Sequence, residues 1–306
     1  MSIAEAPERP ALRYHGGKWL LAPWIIEHMP PHRVYVEPFG GAASVLMRKP
    51  RSYAEVYNDR WETVVNVFRV LRDPVQAYNL KRALELTPFS RDEFFGAHHE
   101  ETDDPVERAR KTIFRSFAGF GSAATNGEYP TGFRANSNRS GTTPAQDWLN
   151  YPAEIPAFVN RMRGVVIENR DALDVIAQQD GDETLFFLDP PYVHSTRNMQ
   201  RGNAAYAVEM TDADHERLAE AARNAVGMVM LSGYHSALYD RLYAEWTRIE
   251  RAALADGAVD RIEVLWLNAK ASARLEASRS QLGLFPPQQP TAEGARRPAP
   301  SPGKRP

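Results

Sequence analysis

Cysteine is absent from this chain of 306 residues. Its absence excludes disulfide bonds, thiolate zinc sites and iron–sulfur clusters. It also excludes a covalent cysteine nucleophile, and therefore papain-like proteases and enzymes that methylate cytosine C5 through a thiol. We assign no metal ligands to the eight histidines, because none stands in a convincing ligand spacing.

Long hydrophobic runs and an excess of charge of one sign are also absent. No stretch approaches the roughly 18 apolar residues of a membrane span, and residues 1–13 lack the apolar region of a signal peptide. We therefore expect a cytoplasmic protein. The 37 basic and 39 acidic residues give a net charge of −2, which argues against a wholly basic nucleic-acid coat but allows a local basic face.

The order of apolar segments predicts an α/β sheet divided by an insertion. Strand, helix, strand and helix alternate over residues 34–72, and strands with intervening helices resume after residue 164. We expect a split α/β domain over 10–73 and 158–276, with an inserted lobe of helices and polar loops at 74–157. The proline-rich segment at 277–306 is expected to be a disordered tail.

A glycine turn follows the first predicted strand, in Val36-Glu-Pro-Phe-Gly-Gly-Ala-Ala-Ser44. Glycines allow close approach of a ligand to the backbone, and the following helix N-terminus favours negative charge. A nucleotide-like cofactor is the natural occupant, although a purely structural turn is the alternative. Asp59, beyond the second strand, is placed to bond a ribose hydroxyl or to cap a turn.

The segment Leu185-Phe-Phe-Leu-Asp-Pro-Pro-Tyr192 carries the strongest chemical signal. An apolar strand delivers Asp189 to the edge of the sheet, and two prolines remove backbone donors so that carbonyls face outward. An aryl amine is a poor nucleophile and needs acceptors for its N–H groups. Asp189 and the Pro190 carbonyl are suitable acceptors, and the ring of Tyr192 is suited to stack on an extruded base. A rigid turn without chemistry is the alternative.

Taken together and in this order, these motifs resemble those of DNA adenine N6-methyltransferases of the Dam-like D12 class, with α-type motif order. Tyr14-His-Gly-Gly-Lys18 is similar to the family's W-x-G-G-K segment, and Glu37-Pro-Phe-Gly-Gly-Ala is similar to its glycine motif. Asn58-Asp59 and Asp189-Pro-Pro-Tyr192 resemble its ribose acid and its D-P-P-Y motif. The resemblance implies a Rossmann-like sheet that binds S-adenosyl-L-methionine (AdoMet), with a helical target-recognition insertion.

The same resemblance implies roles for individual residues. Tyr14 and Lys18 would contact AdoMet, with tyrosine replacing the usual tryptophan, and Asp59 would bind its ribose. Asp189 would face both the cofactor and the target amine, beside Pro190 and Tyr192. Asp171 would contact the cofactor's adenine ring or simply cap a helix. The remaining cofactor-binding residues expected in the glycine motif are Glu37, Pro38 and Gly40.

DNA contacts are expected in the insertion, where residues 108–139 hold six basic side chains and one acid. Phenylalanines interleave with these cations, a mixture that suits phosphate contact and base stacking. A solvated helix face with phenylalanines in a core is the alternative. Arg197 is expected near the flipped base. The basic residues are Arg108, Arg110, Lys111, Arg115, Arg134 and Arg139.

Near the tail, Gln281-Leu-Gly-Leu-Phe285 resembles the short peptide by which bacterial replication and repair proteins dock on the sliding clamp. Gln281, Leu282, Leu284 and Phe285 would make that contact. A segment that packs back on the domain is the alternative.

The sequence thus predicts a monomeric enzyme that methylates adenine N6 in double-stranded DNA, with base flipping. The nearest rival methylates cytosine N4, but such enzymes commonly carry serine where Asp189 stands. A silent AdoMet- or DNA-binding regulator remains open, and so does an RNA substrate.

Overall fold

The computed structural model describes residues 6–99, 102–120, 131–135, 141–193, 196, 207–254 and 260–284. Seven strands form one sheet within this part of the chain. They are β1 (Val34–Glu37), β2 (Ala54–Asn58), β3 (Val165–Glu168), β4 (Thr184–Leu188), β5 (Met228–Tyr234), β6 (Thr247–Leu254) and β7 (Asp260–Leu267).

Helices cover the sheet and build the lobe between β2 and β3. The first six are α1 (Ala22–Glu27), α2 (Ser44–Arg48), α3 (Glu62–Arg72), α4 (Pro74–Leu86), α5 (Arg91–His99) and α6 (Pro105–Ala118). The others are α7 (Pro144–Asn150), α8 (Ile155–Met162), α9 (Ala172–Gln179), α10 (Asp212–Asn224), α11 (Ala237–Leu242) and α12 (Ala269–Leu284).

The strand order is β3-β2-β1-β4-β5-β7-β6. Neighbours from β3 to β5 pair in parallel, whereas β7 runs antiparallel to both β5 and β6. The order reverses between β1 and β4, and ligands of open α/β sheets bind at the carboxyl ends of the strands at such a point. The predicted Rossmann-like α/β fold is confirmed.

Apolar side chains bury both faces of the sheet. β4 is buried at every position, as expected for a parallel strand covered on two sides. One core cluster includes Tyr35 and Phe187 and continues without a break into the helical lobe, where it takes in Phe114 and Trp148. The other packs α9, α10 and α11 on the opposite face. The lobe is therefore anchored on the sheet through a shared core, with α6 against α3, α4 and α5.

A buried ion cluster ties β2 to the lobe. Glu55 accepts from Lys49 at 2.8 Å and from Arg161 at 2.6 and 2.9 Å, and all three side chains are less than 10% exposed. Burial alone would raise the pKa of Glu55, but the hydrogen bonds from Arg161 and Lys49 hold that pKa below its ordinary value. The carboxylate therefore stays charged between two cations.

Two features differ from the sequence pattern. The pattern does not predict β6, which is an edge strand that pairs with β7 and carries charged side chains along Thr247-Arg-Ile-Glu-Arg251. Helix α12 continues through residues 277–284, which the pattern places in the tail. In the described part of the chain, no helix is long and apolar enough to cross a membrane.

Candidate active site

A pocket opens at the carboxyl edge of the sheet, around the point where the strand order reverses. The turn after β1, the acids after β2 and β3, and the Asp189–Pro191 turn after β4 all line it, because parallel strands end at one edge. The segment 14–18, which precedes α1, also contributes to the lining. The structure thus brings together Tyr14, Lys18, Glu37, Pro38, Gly40, Asp59, Asp171, Asp189 and Pro190.

The glycine turn is held tightly against β2. The Gly40 N–H donates to the Asn58 carbonyl at 2.7 Å, and the Tyr57 hydroxyl donates to the Gly41 carbonyl at 2.8 Å. A Cβ on Gly40 would lie 2.2 Å from the Tyr57 ring, so only glycine fits there. Gly41 has φ +47°, which also favours glycine. Glycine is required at position 40 by the nearby Tyr57 ring and is favoured at position 41 by the positive φ angle. Both residues form part of the pocket wall.

Asp59 and Asp171 each bond backbone as well as lining the pocket. Asp59 accepts from the N–H groups of Gly41 at 2.8 Å and Trp61 at 2.7 Å. Burial raises the pKa of Asp59, and these two bonds oppose that rise. Asp171 caps α9 by accepting from the Leu173 N–H at 2.9 Å, and Arg60 lies 3.4 Å from its carboxylate. Their carboxylates therefore have structural partners before any ligand binds.

Glu37 faces inward from the end of β1 and is 3% exposed. Its Oε2 accepts from the Tyr35 hydroxyl and the Leu46 N–H, both at 3.1 Å. Burial, together with the nearby Asp189 carboxylate, raises the pKa of Glu37 to about 8. A carboxyl with that pKa is mostly neutral at pH 7. Glu37 thus joins β1 to α2 without adding a full negative charge to the pocket.

Lys18, Asp189 and Tyr192 form a compact cluster beside the turn after β4. The Lys18 ammonium lies 2.8 Å from Asp189 Oδ1 and donates to the Gly16 carbonyl at 2.9 Å. It also stands 4.7 Å from the centroid of the Tyr192 ring. Burial raises the pKa of Asp189, whereas the Lys18 ammonium and the Ser232 hydroxyl oppose that rise. A carboxylate and a cation that line the pocket thus meet an aromatic ring that lies beside them.

The pocket has the chemistry that a nucleoside-type cofactor needs. Apolar side chains from four separate segments line it, which suits a flat base. Ser44 Oγ is buried and has no hydrogen-bond partner among the described residues, and it lies where α2 begins. A buried hydroxyl is expected to be bonded, so a ligand is its natural partner. The apolar lining residues include Phe39, Leu173, Met210 and Leu218.

The sequence pattern does not identify several residues around this site. Ser232, Tyr234 and Glu263 surround Asp189 and Tyr192 from β5 and β7. Ser232 and Tyr234 carry a usable signal, because they end a strand at the same edge of the sheet. Glu263 carries no such signal, because in the sequence it looks like an ordinary polar residue in a strand that alternates polar and apolar positions. Met210, just before α10, and Leu218 of that helix also lack a sequence signal that would place them at this pocket.

The expected DNA-binding cations of α6 are engaged inside the lobe. Arg108 pairs with Glu62 of α3, and Arg110 pairs with Glu93 at 2.5 Å and Glu107 at 2.6 Å. Lys111 is 6% exposed. Arg115 donates to the Ala97 carbonyl at 3.0 Å. These contacts favour the alternative of cations that join helices, and DNA contact by Arg108, Arg110, Lys111 and Arg115 stays a prediction from the sequence.

The residues that follow α6 pair with residues 132–134. The Phe120 N–H donates to the Gly132 carbonyl at 2.8 Å and the Arg134 N–H donates to the Ala118 carbonyl at 2.7 Å, which makes a short antiparallel bridge. Phe120 is 57% exposed. Arg139 and Arg197 lie outside the described residues.

The candidate clamp peptide lies at the end of α12. Gln281 belongs to this helix and is exposed, and Phe285 lies outside the described residues. The clamp hypothesis therefore stays a prediction from the sequence.

Comparison with known proteins gives one match to a family model. The model of the D12 class N6 adenine-specific DNA methyltransferase matches residues 14–256. The matched range begins at the tyrosine of the pocket and covers the glycine turn, the helical lobe and the Asp-Pro-Pro-Tyr segment. A search of curated proteins finds no match.

Proposed function

Because the chain belongs to the D12 class of N6 adenine-specific DNA methyltransferases, we propose that its pocket holds AdoMet and that the edge formed by Asp189 and Tyr192 receives the target adenine. Enzymes of this class transfer a methyl group from AdoMet to the N6 amine of adenine in DNA, which confirms the predicted reaction. The roles of individual residues are the proposal. Its main support is that Lys18, Asp189 and the glycine turn line one pocket, with the Tyr192 ring beside Lys18.

The proposed cofactor site follows from the lining of the pocket. Tyr14, Lys18, Gly40 and Ser44 would surround the amino-acid portion, and Asp59 would accept from ribose hydroxyls. Leu173 and the other apolar lining residues would enclose the adenine ring, with Asp171 at its edge. Bound AdoMet supplies a methyl group that its sulfonium has already activated.

The proposed role of Asp189 and Tyr192 is to hold the amine of the target base. The N6 atom lies within the base stack of duplex DNA, so the base must leave the stack to reach the pocket. Asp189 and the Pro190 carbonyl would accept the N6 hydrogens and orient the nitrogen, while Tyr192 supplies a flat surface. Positioning of this kind accounts for a large share of enzymatic rate enhancement.

Gly41→Ala is expected to weaken AdoMet binding about tenfold, or about 1.4 kcal/mol. A Cβ at Gly41 would lie 2.8 Å from Tyr14 Cε1 and would displace that ring from the pocket wall. Isothermal titration calorimetry with AdoMet measures the effect. Gly164→Ala is the matched control, because φ is +81° there and nothing lies within 4 Å of the added Cβ. Equal AdoMet affinity in both variants would contradict the proposed cofactor site.

We also propose that DNA contact involves the bridge after α6, where Phe120 is exposed on one segment and Arg134 lies on the other. Phe120→Ala is expected to weaken DNA binding by about 1–3 kcal/mol, the usual loss for a stacked aromatic, and to leave AdoMet affinity unchanged. Fluorescence anisotropy with labelled duplex measures it. Tyr78→Ala on α4, also a widely exposed aromatic, serves as the control. Equal DNA affinity in the two variants would argue against this surface.

The proposed cofactor-binding and target-binding residues that the structure describes all come from this one chain. We therefore propose that a monomer acts on double-stranded DNA in the cytoplasm. Sedimentation of the active enzyme at assay concentration tests the oligomeric state.

A further inference from the structure

A buried carboxyl group on β7 stands behind the proposed target site and has no role in the proposed binding of cofactor or base. Glu263 is 7% exposed and lies opposite Tyr234 in the pairing of β7 with β5. The Tyr192 hydroxyl donates to Glu263 Oε2 at 3.5 Å, and the Tyr234 hydroxyl also bonds this carboxylate. Burying a carboxyl group costs free energy unless it is hydrogen-bonded, and the two tyrosine hydroxyls provide these hydrogen bonds. The same bonds connect Glu263 to the proposed target site.

Electrostatic contacts connect Glu263 to the reacting edge of the pocket. Burial raises the pKa of Glu263, and the Asp189 carboxylate acts in the same direction. Lys18 opposes the rise, since its ammonium attracts both acids. The Lys18 ammonium, which is itself 4% exposed, thus pairs with Asp189 at 2.8 Å and also lies within electrostatic reach of Glu263.

The ring of Tyr192 is fixed by contacts from three separate segments. Tyr234 of β5 packs edge-on against it, with centroids 4.6 Å apart and planes at 66°. Lys18, from the segment before α1, stands 4.7 Å from its centroid, and Glu263 of β7 receives its hydroxyl. Stacking on a base requires a defined ring plane, and these contacts define it.

We propose that Glu263 is a positioning residue: through the Tyr192 hydroxyl, it sets the ring plane that receives the target base. This inference rests on the roles proposed for Asp189 and Tyr192. Glu263 itself is not among the residues that line the pocket. Its effect is therefore expected on the methyl-transfer step and on placement of the flipped base, not on affinity for AdoMet.

The test compares Glu263→Leu and Glu263→Gln in single-turnover methyl transfer with saturating AdoMet. Leucine removes both the acceptor and the charge, and we expect a rate about 10- to 100-fold lower, the scale on which misplacement of a reacting group acts. Glutamine keeps an acceptor for the hydroxyls and should recover part of the rate. The KM for AdoMet should stay within about threefold, and DNA with 2-aminopurine at the target should show an altered fluorescence change.

Val264→Ala is the matched control, since this residue is the next on β7 and is fully buried. It should lower stability without changing the transfer rate of folded enzyme. If Glu263→Leu does not fold, Glu263→Gln carries the comparison alone. A Glu263 variant that transfers methyl as fast as Val264→Ala would overturn the inference.

A double-mutant cycle with Tyr192→Phe separates this inference from the proposed function. If Glu263 acts through the hydroxyl, the Tyr192→Phe/Glu263→Gln double variant should be little slower than the slower single variant. If the rate losses of the two single variants multiply in the double variant, Glu263 does not act through the Tyr192 hydroxyl and the inference is overturned. If instead the proposed role of Asp189 is wrong, Asp189→Ala would retain the wild-type transfer rate. That result is distinct from the outcome of the double-mutant cycle.

Discussion

Asp189→Ala is expected to slow single-turnover methyl transfer by about 100- to 1000-fold, the loss seen when one preorganised charge-stabilising group is removed from an enzyme. The variant loses the carboxylate that would accept from the N6 amine and that pairs with Lys18 at 2.8 Å. Asp189→Asn keeps an oxygen acceptor and should retain more activity than alanine. Rapid-quench assays with labelled AdoMet and saturating DNA measure both rates.

Asp182→Ala is the control for this substitution. Asp182 precedes the amino end of β4, its side chain is 77% exposed, and it pairs with Lys270 at the surface. Its removal should leave the transfer rate unchanged. Asp189→Ala must also keep a cooperative unfolding transition, because the substitution leaves the buried Lys18 without its carboxylate. Unimpaired transfer in folded Asp189→Ala would refute the assignment of the target site.

Glu55→Gln is expected to lower the free energy of unfolding by about 3–5 kcal/mol, the loss typical of breaking a buried ion pair from one side. Glu55 compensates two cations, Lys49 and Arg161, that are almost completely removed from solvent. The glutamine would leave both charges uncompensated in the interior, between β2 and α8. Urea unfolding followed by circular dichroism measures the difference.

Glu216→Gln is the matched comparison for that stability change. Glu216 pairs with Arg241 at 2.8 Å, but the two side chains are 48% and 67% exposed. Exposed pairs contribute little because water screens them, so the change should stay within about 0.5 kcal/mol. Similar losses in the two variants would contradict the view that the Glu55 cluster anchors the lobe on the sheet.

The strands and turns at the pocket are predictable because each rests on a local pattern. Helix α3 lies within the predicted alternation over residues 34–72, and strand β4 leads into Asp189 as expected, since an amphipathic period and a short apolar run mark them. The Asp-Pro-Pro-Tyr segment and the glycine turn each follow an apolar strand. Since parallel strands end at one edge of a sheet, the sequence pattern is enough to predict that these motifs meet there.

Contacts between distant segments are not predictable from local patterns. The basic run at 108–139 looks unbalanced because its acids lie elsewhere: Glu107 stands just before it, and Glu62 and Glu93 come from other helices. Strand β6 is not predicted from the sequence, because an edge strand with charged side chains lacks a continuous apolar run. Glu263 is not predicted either, because its partners come from β5, the turn after β4 and the segment before α1.

The most direct test is sequencing with base-modification detection on DNA from cells that express the wild-type chain or Asp189→Ala. It identifies the modified base and its sequence context together. We predict N6-methyladenine in a defined motif with the wild-type chain and its loss in the variant. Methylation of cytosine N4, or unmodified DNA from cells with folded, AdoMet-binding protein, would contradict the assignment of adenine in DNA as the substrate.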